Sequence, residues 1–119
     1  MRSHLSKINN PGALASLTQV ELTELAQEIR DTIVSTVTKN GGHLASNLGI
    51  VELTISLHRV FQSPKDRIVW DTSNQCYTHK LLTGRRKEFE DLRTIGGLSG
   101  FAEPSESDHD VFGAGHAGT

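Results

Sequence analysis

The sequence is short of cysteine, aromatic residues and net charge, and each shortage removes a class of protein. Cys76 is the only cysteine in 119 residues, so no intramolecular disulfide can form and a reducing compartment is expected. A formal charge of −2 leaves no basic excess with which to hold nucleic acid. No apolar run approaches the roughly 18 residues that cross a bilayer, and the leading MRSHLSKINNPG lacks the apolar stretch of a secretory signal. The expectation is a cytoplasmic protein with no nucleic-acid or membrane partner. Aromatic residues make up 5% and hydrophobic residues 35%, low for a self-sufficient domain even with 11 glycines alongside. That composition suits a piece of a larger globular protein.

Residues 1–16 read as a polar lead-in with a turn at Asn10-Pro11-Gly12. A long helix follows. Thr18 and Glu21 have capping-box spacing, with Leu17 and Leu22 placed as a hydrophobic staple. Leu22, Leu25, Ile29, Ile33 and Val37 line one face, while Glu21, Glu24, Glu28, Arg30 and Asp31 leave the other to solvent. Asn40-Gly41-Gly42 stops the helix. A second helix is expected over residues 47–61, apolar around most of its circumference, and a short strand over residues 67–70, Arg-Ile-Val-Trp. Short helices are expected over residues 75–82 and 85–93, then a loop over residues 96–107. One strand cannot make a sheet alone, so its partner is expected outside these 119 residues or in another chain.

Three stretches could carry chemistry. Gly41-Gly42-His43-Leu44-Ala45-Ser46-Asn47 joins two helices; glycines permit close backbone approach, and His43 can exchange a proton near neutral pH. An ordinary turn with an exposed histidine explains the same residues. The polar run from Asp71 to Lys80 follows the carboxyl end of the expected strand, where α/β sheets bind ligands, although Asp71, Thr72 and Ser73 are equally good helix caps. The closing Gly113-Ala114-Gly115-His116-Ala117-Gly118-Thr119 is neither a Walker loop nor a dinucleotide fingerprint; it could form an anion nest or a plain turn. Cys76 and His79 have C-x-x-H spacing but no second ligand pair, and Asp108-His109-Asp110 reads as a solvated loop, so no metal ligand is assigned.

Together the stretches are more specific than any one of them. GGHLASNLGIVELTISLHRVF, DRIVWD, YTHKLLTGRR, GGLSGF and E-S-x-x-D-V-F-G-A-G-H-A-G-T, in this order, resemble the 1-deoxy-D-xylulose-5-phosphate synthase family, thiamine-diphosphate-dependent and transketolase-like, from about Leu17 to Thr119. The resemblance implies an α/β fold class: residues 17–119 as the first part of a thiamine-diphosphate-binding domain of transketolase type, mostly helical here with one or two short strands. It implies a transferase that condenses pyruvate with D-glyceraldehyde 3-phosphate, releases CO₂ and supplies isoprenoid, thiamine and pyridoxal precursors. Its cofactors would be thiamine diphosphate and Mg²⁺, and the complete enzyme would be a homodimer.

By the same resemblance, His43 matches the substrate-facing, proton-transferring histidine of G-H-x-A-S. Gly115, His116 and Ala117 match the Gly-His-Ser/Ala segment that lies against the cofactor. Asn74 stands where the family usually has the cofactor-contacting histidine of W-D-x-x-H-Q, and an amide cannot carry a proton near pH 7. The family's G-D-G metal motif does not occur in the sequence. The expectation is therefore a segment truncated before that motif and inactive alone. Alternatives are the first part of another transketolase-type enzyme, or a non-catalytic interaction piece derived from the synthase.

Overall fold

The computed structural model describes residues 3–71, 73–111 and 113. Four α-helices organise them: α1 (Gln19–Asn40), α2 (Ala45–Leu48), α3 (Val51–Val60) and α4 (Tyr77–Leu82). Short 3-10 turns cover Leu5–Lys7, Pro11–Ser16 and Glu88–Asp91.

The long helix begins where its capping box sets it. Thr18 Oγ1 accepts from the Glu21 N–H at 3.1 Å, and Glu21 Oε1 accepts from the Thr18 N–H at 2.9 Å. It ends at Gly41, whose φ of +82° favours a residue without a Cβ. Its inner face, Leu22, Leu25, Ala26, Ile29 and Ile33, packs with Val51 and Ile55 of α3 and with Tyr77, Leu81 and Leu82 of α4 in one core. The lead-in joins that core through Leu5, Ile8 and Leu14. Glu28, expected in solvent, instead accepts from the N–H groups of His4 and Leu5, satisfying the open donors at the start of the first turn.

Three expected elements differ. The helix expected over residues 47–61 is broken at Gly49 and Ile50 into α2 and α3; glycine is a poor helix former, and Ile50, at φ −120° and ψ 9°, lies off the helical path. The helix expected over residues 85–93 is only the turn Glu88–Asp91, because Arg93 has a φ of +65°, outside any right-handed helix. The strand expected over residues 67–70 is not a strand among the described residues. Among the described residues no backbone hydrogen bond joins it to another segment, and a strand is defined by its ladder. Its burial still alternates, with Trp70 buried, Val69 exposed and Ile68 packed against the core. The described residues are thus mostly helical, as expected, and the one or two strands are not seen among them.

Candidate functional site

Three loops converge on His43: the α1–α2 turn that carries it, the loop over residues 71–76, and the loop over residues 99–111. The contacts between them explain why the sequence folds this way locally.

Asn47, in α2 and fully buried, holds the first two together. Its Nδ2 donates to the carbonyls of His43, at 2.7 Å, and Asn74, at 2.8 Å; its Oδ1 accepts from the Tyr77 N–H at 2.9 Å. The third bond also satisfies an open donor at the start of α4, whose N-cap residue, Cys76, makes no side-chain cap. The Tyr77 hydroxyl reaches back to accept from the His43 N–H at 3.1 Å. That approach depends on Gly42, at φ +140°, where a Cβ would come within 2.7 Å of the hydroxyl. The Tyr77 ring packs edge-on to Phe89, and burial raises its hydroxyl pKa.

The third loop closes the other side. Phe101 sets its ring 5.7 Å from the half-buried His43 imidazole. The next residue, Ala102, donates its N–H to Ser73 Oγ at 2.7 Å. Ser73 is buried at φ +69°, an unusual backbone state that turns the chain immediately before Asn74. His43 and Asn74 are therefore brought into one framework through Asn47. Gly115, His116 and Ala117 lie outside the described residues.

Beneath the loops is a buried ion network that the sequence did not announce. Arg85 grips Asp110 with two parallel bonds, Nη2 to Oδ1 at 2.7 Å and Nη1 to Oδ2 at 2.8 Å. Asp110 is 3% exposed, which corrects the expectation of a solvated Asp-His-Asp loop. Glu106 Oε1 accepts from Lys80 at 2.7 Å and from Arg85 at 3.0 Å. His79 Nε2 faces Asp110 Oδ1 at 3.0 Å, and its Nδ1 lies 2.8 Å from His58 Nε2. With acceptors before it, His79 Nε2 carries a proton, and one further proton lies between the two histidines.

Burial works against ionisation of Asp110, but the Arg85 bonds, then those from His79 and the Glu103 N–H, outweigh it and hold the carboxyl well below the usual range. Burial, with His79 and His109 nearby, pushes His58 down to about 3. Burial pushes the Cys76 thiol up to about 11, so it is neither a nucleophile nor a ready metal ligand at neutral pH. His79 is committed to His58 and Asp110, and no group of three or more potential metal ligands occurs among the described residues.

One residue of the site went unnoticed in the sequence. The Arg93 side chain runs beside Gly41, Gly42 and Gly100, and its charge is felt at the Tyr77 hydroxyl. Its guanidinium makes no hydrogen bond or ion pair among the described residues. The signal that could have found it is the glycines on either side of it in space, distant from one another in sequence.

The donor set suits a cofactor that presents phosphates. The Asn74 carboxamide is half-buried and makes no hydrogen bond among the described residues, so its two N–H donors remain available. The family model for 1-deoxy-D-xylulose-5-phosphate synthase matches residues 5–119. Among curated proteins, a 1-deoxy-D-xylulose-5-phosphate synthase of Dehalococcoides mccartyi (strain 195) is 62% identical over the whole chain, and one of Heliobacterium modesticaldum is 58% identical over the same span. A synthase 2 of Geobacter sulfurreducens is 57% identical over 97% of the chain. The chain spans about 18% of the length of each of these relatives. Because the match runs without interruption through all three converging loops and the network beneath them, the chain belongs to the 1-deoxy-D-xylulose-5-phosphate synthase family.

Proposed function

We propose that this chain forms the first part of a thiamine-diphosphate-dependent transferase. That enzyme joins pyruvate to D-glyceraldehyde 3-phosphate, giving 1-deoxy-D-xylulose 5-phosphate and CO₂ and so feeding isoprenoid, thiamine and pyridoxal synthesis. The observation that carries the reading is the family match through the loops that meet at His43. A span of about 18% of each relative supports a shared site, with the remaining groups supplied by further sequence.

In this reading Asn74 would donate to the cofactor's phosphates, and Gly115, His116 and Ala117, which lie outside the described residues, would be the family's other cofactor-binding segment. When bound, thiamine diphosphate supplies the electron sink that decarboxylation requires. The chain's own residues do the rest. Condensation with loss of CO₂ takes up one proton overall, and in this reading His43 delivers it. Both substrates are anions, and the Arg93 guanidinium, which makes no ion pair among the described residues, supplies positive charge beside Tyr77. Phe101 and Tyr77 set their rings 5.7 and 6.5 Å from the His43 imidazole and so limit how its ring can turn. The Mg²⁺ ligands belong to sequence beyond this chain, since no G-D-G occurs in it.

The reading also makes the exposed Val60, Phe61 and Val69 surface for the rest of a homodimeric, transketolase-type enzyme, against which residues 67–70 could find the ladder they lack among the described residues. It places the protein in the cytoplasm. No helix among the described residues is long and apolar enough to cross a membrane.

The test is a chimera in which this chain replaces the matching part of the Dehalococcoides mccartyi relative. With thiamine diphosphate and Mg²⁺, it is expected to convert pyruvate and D-glyceraldehyde 3-phosphate to the five-carbon product, measured by mass spectrometry. A folded chimera that binds the cofactor yet forms no product, while the intact relative does, overturns the proposal.

A further inference from the structure

The stretches T-H-K-L-L-T-G-R and E-S-x-x-D contain no residue assigned to the reaction, yet the structure brings them together. His79, Lys80, Thr83 and Arg85 come from the first; Glu106 and Asp110 come from the second. Every one of these side chains is tied to another across the two stretches or within the first. The polar groups also reach the backbone of the loop over residues 99–111. Asp110 Oδ2 accepts from the Glu103 N–H at 2.8 Å, and Glu106 Oε2 accepts from the Ser99 N–H at 2.7 Å. The loop is thus clamped on both sides of Phe101 and Ala102, the two residues that touch the site.

We infer that Arg85, Asp110 and Ser73 are positioning residues for His43 and Asn74. The Arg85–Asp110 pair fixes the loop on the end of α4, so that Phe101 meets the His43 ring and Ala102 meets Ser73. Ser73 then passes that register to the neighbouring Asn74. The bidentate guanidinium matters because two parallel bonds fix orientation as well as distance. A lysine would keep the charge and lose the orientation. The same network carries His79, whose partner His58 anchors it to α3, so the clamp spans both helices that flank the site.

This inference rests on the proposed function for its kinetic readout and on the structure alone for its spectroscopic one. Two mild variants serve in the chimera. Arg85→Lys keeps the buried charge, and Ser73→Gly keeps a residue suited to positive φ while deleting the hydroxyl. The first readout is the NMR resonance of the His43 imidazole, which senses the Phe101 ring current. Both variants are expected to move it while the thermal midpoint stays within a few degrees. The second readout is kinetic: kcat is expected to fall about tenfold or more, since small misplacements of a reacting group are costly, with the KM for pyruvate changed less than about threefold and the pH–rate profile displaced. Wild-type His43 resonances and wild-type kcat in both folded variants overturn the inference. So does a rate loss that merely follows the fraction unfolded, with the His43 resonance and the pH profile unmoved. A chimera without synthase activity whose His43 resonance still moves in both variants retains the positioning and overturns only the proposed reaction.

Discussion

Asn47 caps Tyr77 from a different helix: its buried Oδ1 accepts the Tyr77 N–H at 2.9 Å. Its Nδ2 meanwhile serves the carbonyls of His43 and Asn74. An amide is the side chain of this size that offers both one acceptor and two donors. Asn47→Leu takes these hydrogen bonds from one buried backbone N–H and two part-buried carbonyls, and each group left unsatisfied costs about 1–3 kcal/mol. Denaturant melts of the chimera are expected to show a loss of about 3–5 kcal/mol. Asn47→Asp is expected to be damaging too, because it sets a carboxylate oxygen against two carbonyls. A near-wild-type melt for either variant contradicts the bridging role.

The Tyr77 hydroxyl and Gly42 form a matched pair. Tyr77→Phe removes the acceptor for the His43 N–H and is expected to cost about 1–2 kcal/mol. Gly42→Ala is expected to cost more, because it combines a φ of +140° with a Cβ 2.7 Å from the hydroxyl. Combining the two changes is expected to recover part of the loss, since phenylalanine removes the atom that the alanine meets. Strictly additive effects in this double-mutant cycle argue against the contact.

What could be read from the sequence was local. The capping box at Thr18 and Glu21 and the apolar face of α1 follow from spacing over a few residues, and both are present as expected. The site frame is not local. Asn47 meets partners 27 and 30 positions away, and Arg85 meets Asp110 at a separation of 25. Each of those residues looks like a cap or a surface charge in its own window. The resemblance placed His43 and Asn74 at one site, but only the fold shows that a buried asparagine joins them. The expected strand was read from a short apolar run and has no ladder among the described residues, because apolar side chains report a preference for the core and say nothing of a neighbouring backbone.

Acid is expected to destabilise the fold in two stages. His58 is held near 3 in the folded state against 6.5 in the unfolded chain, so the unfolded state binds a proton first as pH falls. Stability is therefore fully present above about pH 6.5 and declines below it, by up to about 1.4 kcal/mol per pH unit. Asp110, whose folded pKa is also depressed, adds its own loss below its ordinary value of 3.8. His58→Gln is expected to flatten the dependence between pH 4 and 6.5 and to leave the lower stage in place. Urea melts across that range check it; an unchanged slope in the variant assigns the protons elsewhere.

By the resemblance, Asn74 stands where the family usually has a histidine, and under the proposed function that difference separates two roles for the position. A side chain that only donates a hydrogen bond can be an amide or an imidazole; one that shuttles protons cannot be an amide. The Asn74 carbonyl is held by Asn47, so the backbone there is fixed whichever side chain is present. Asn74→His in the chimera is expected to keep turnover or raise it by up to about tenfold, corresponding to about 1.4 kcal/mol of transition-state stabilisation. A wild-type rate with tighter cofactor binding points to donation alone. A rise in kcat with a new limb in the pH–rate profile near neutrality points to proton transfer. A loss beyond tenfold in a folded variant contradicts both and means that the half-buried pocket around residue 74 has been shaped to the amide.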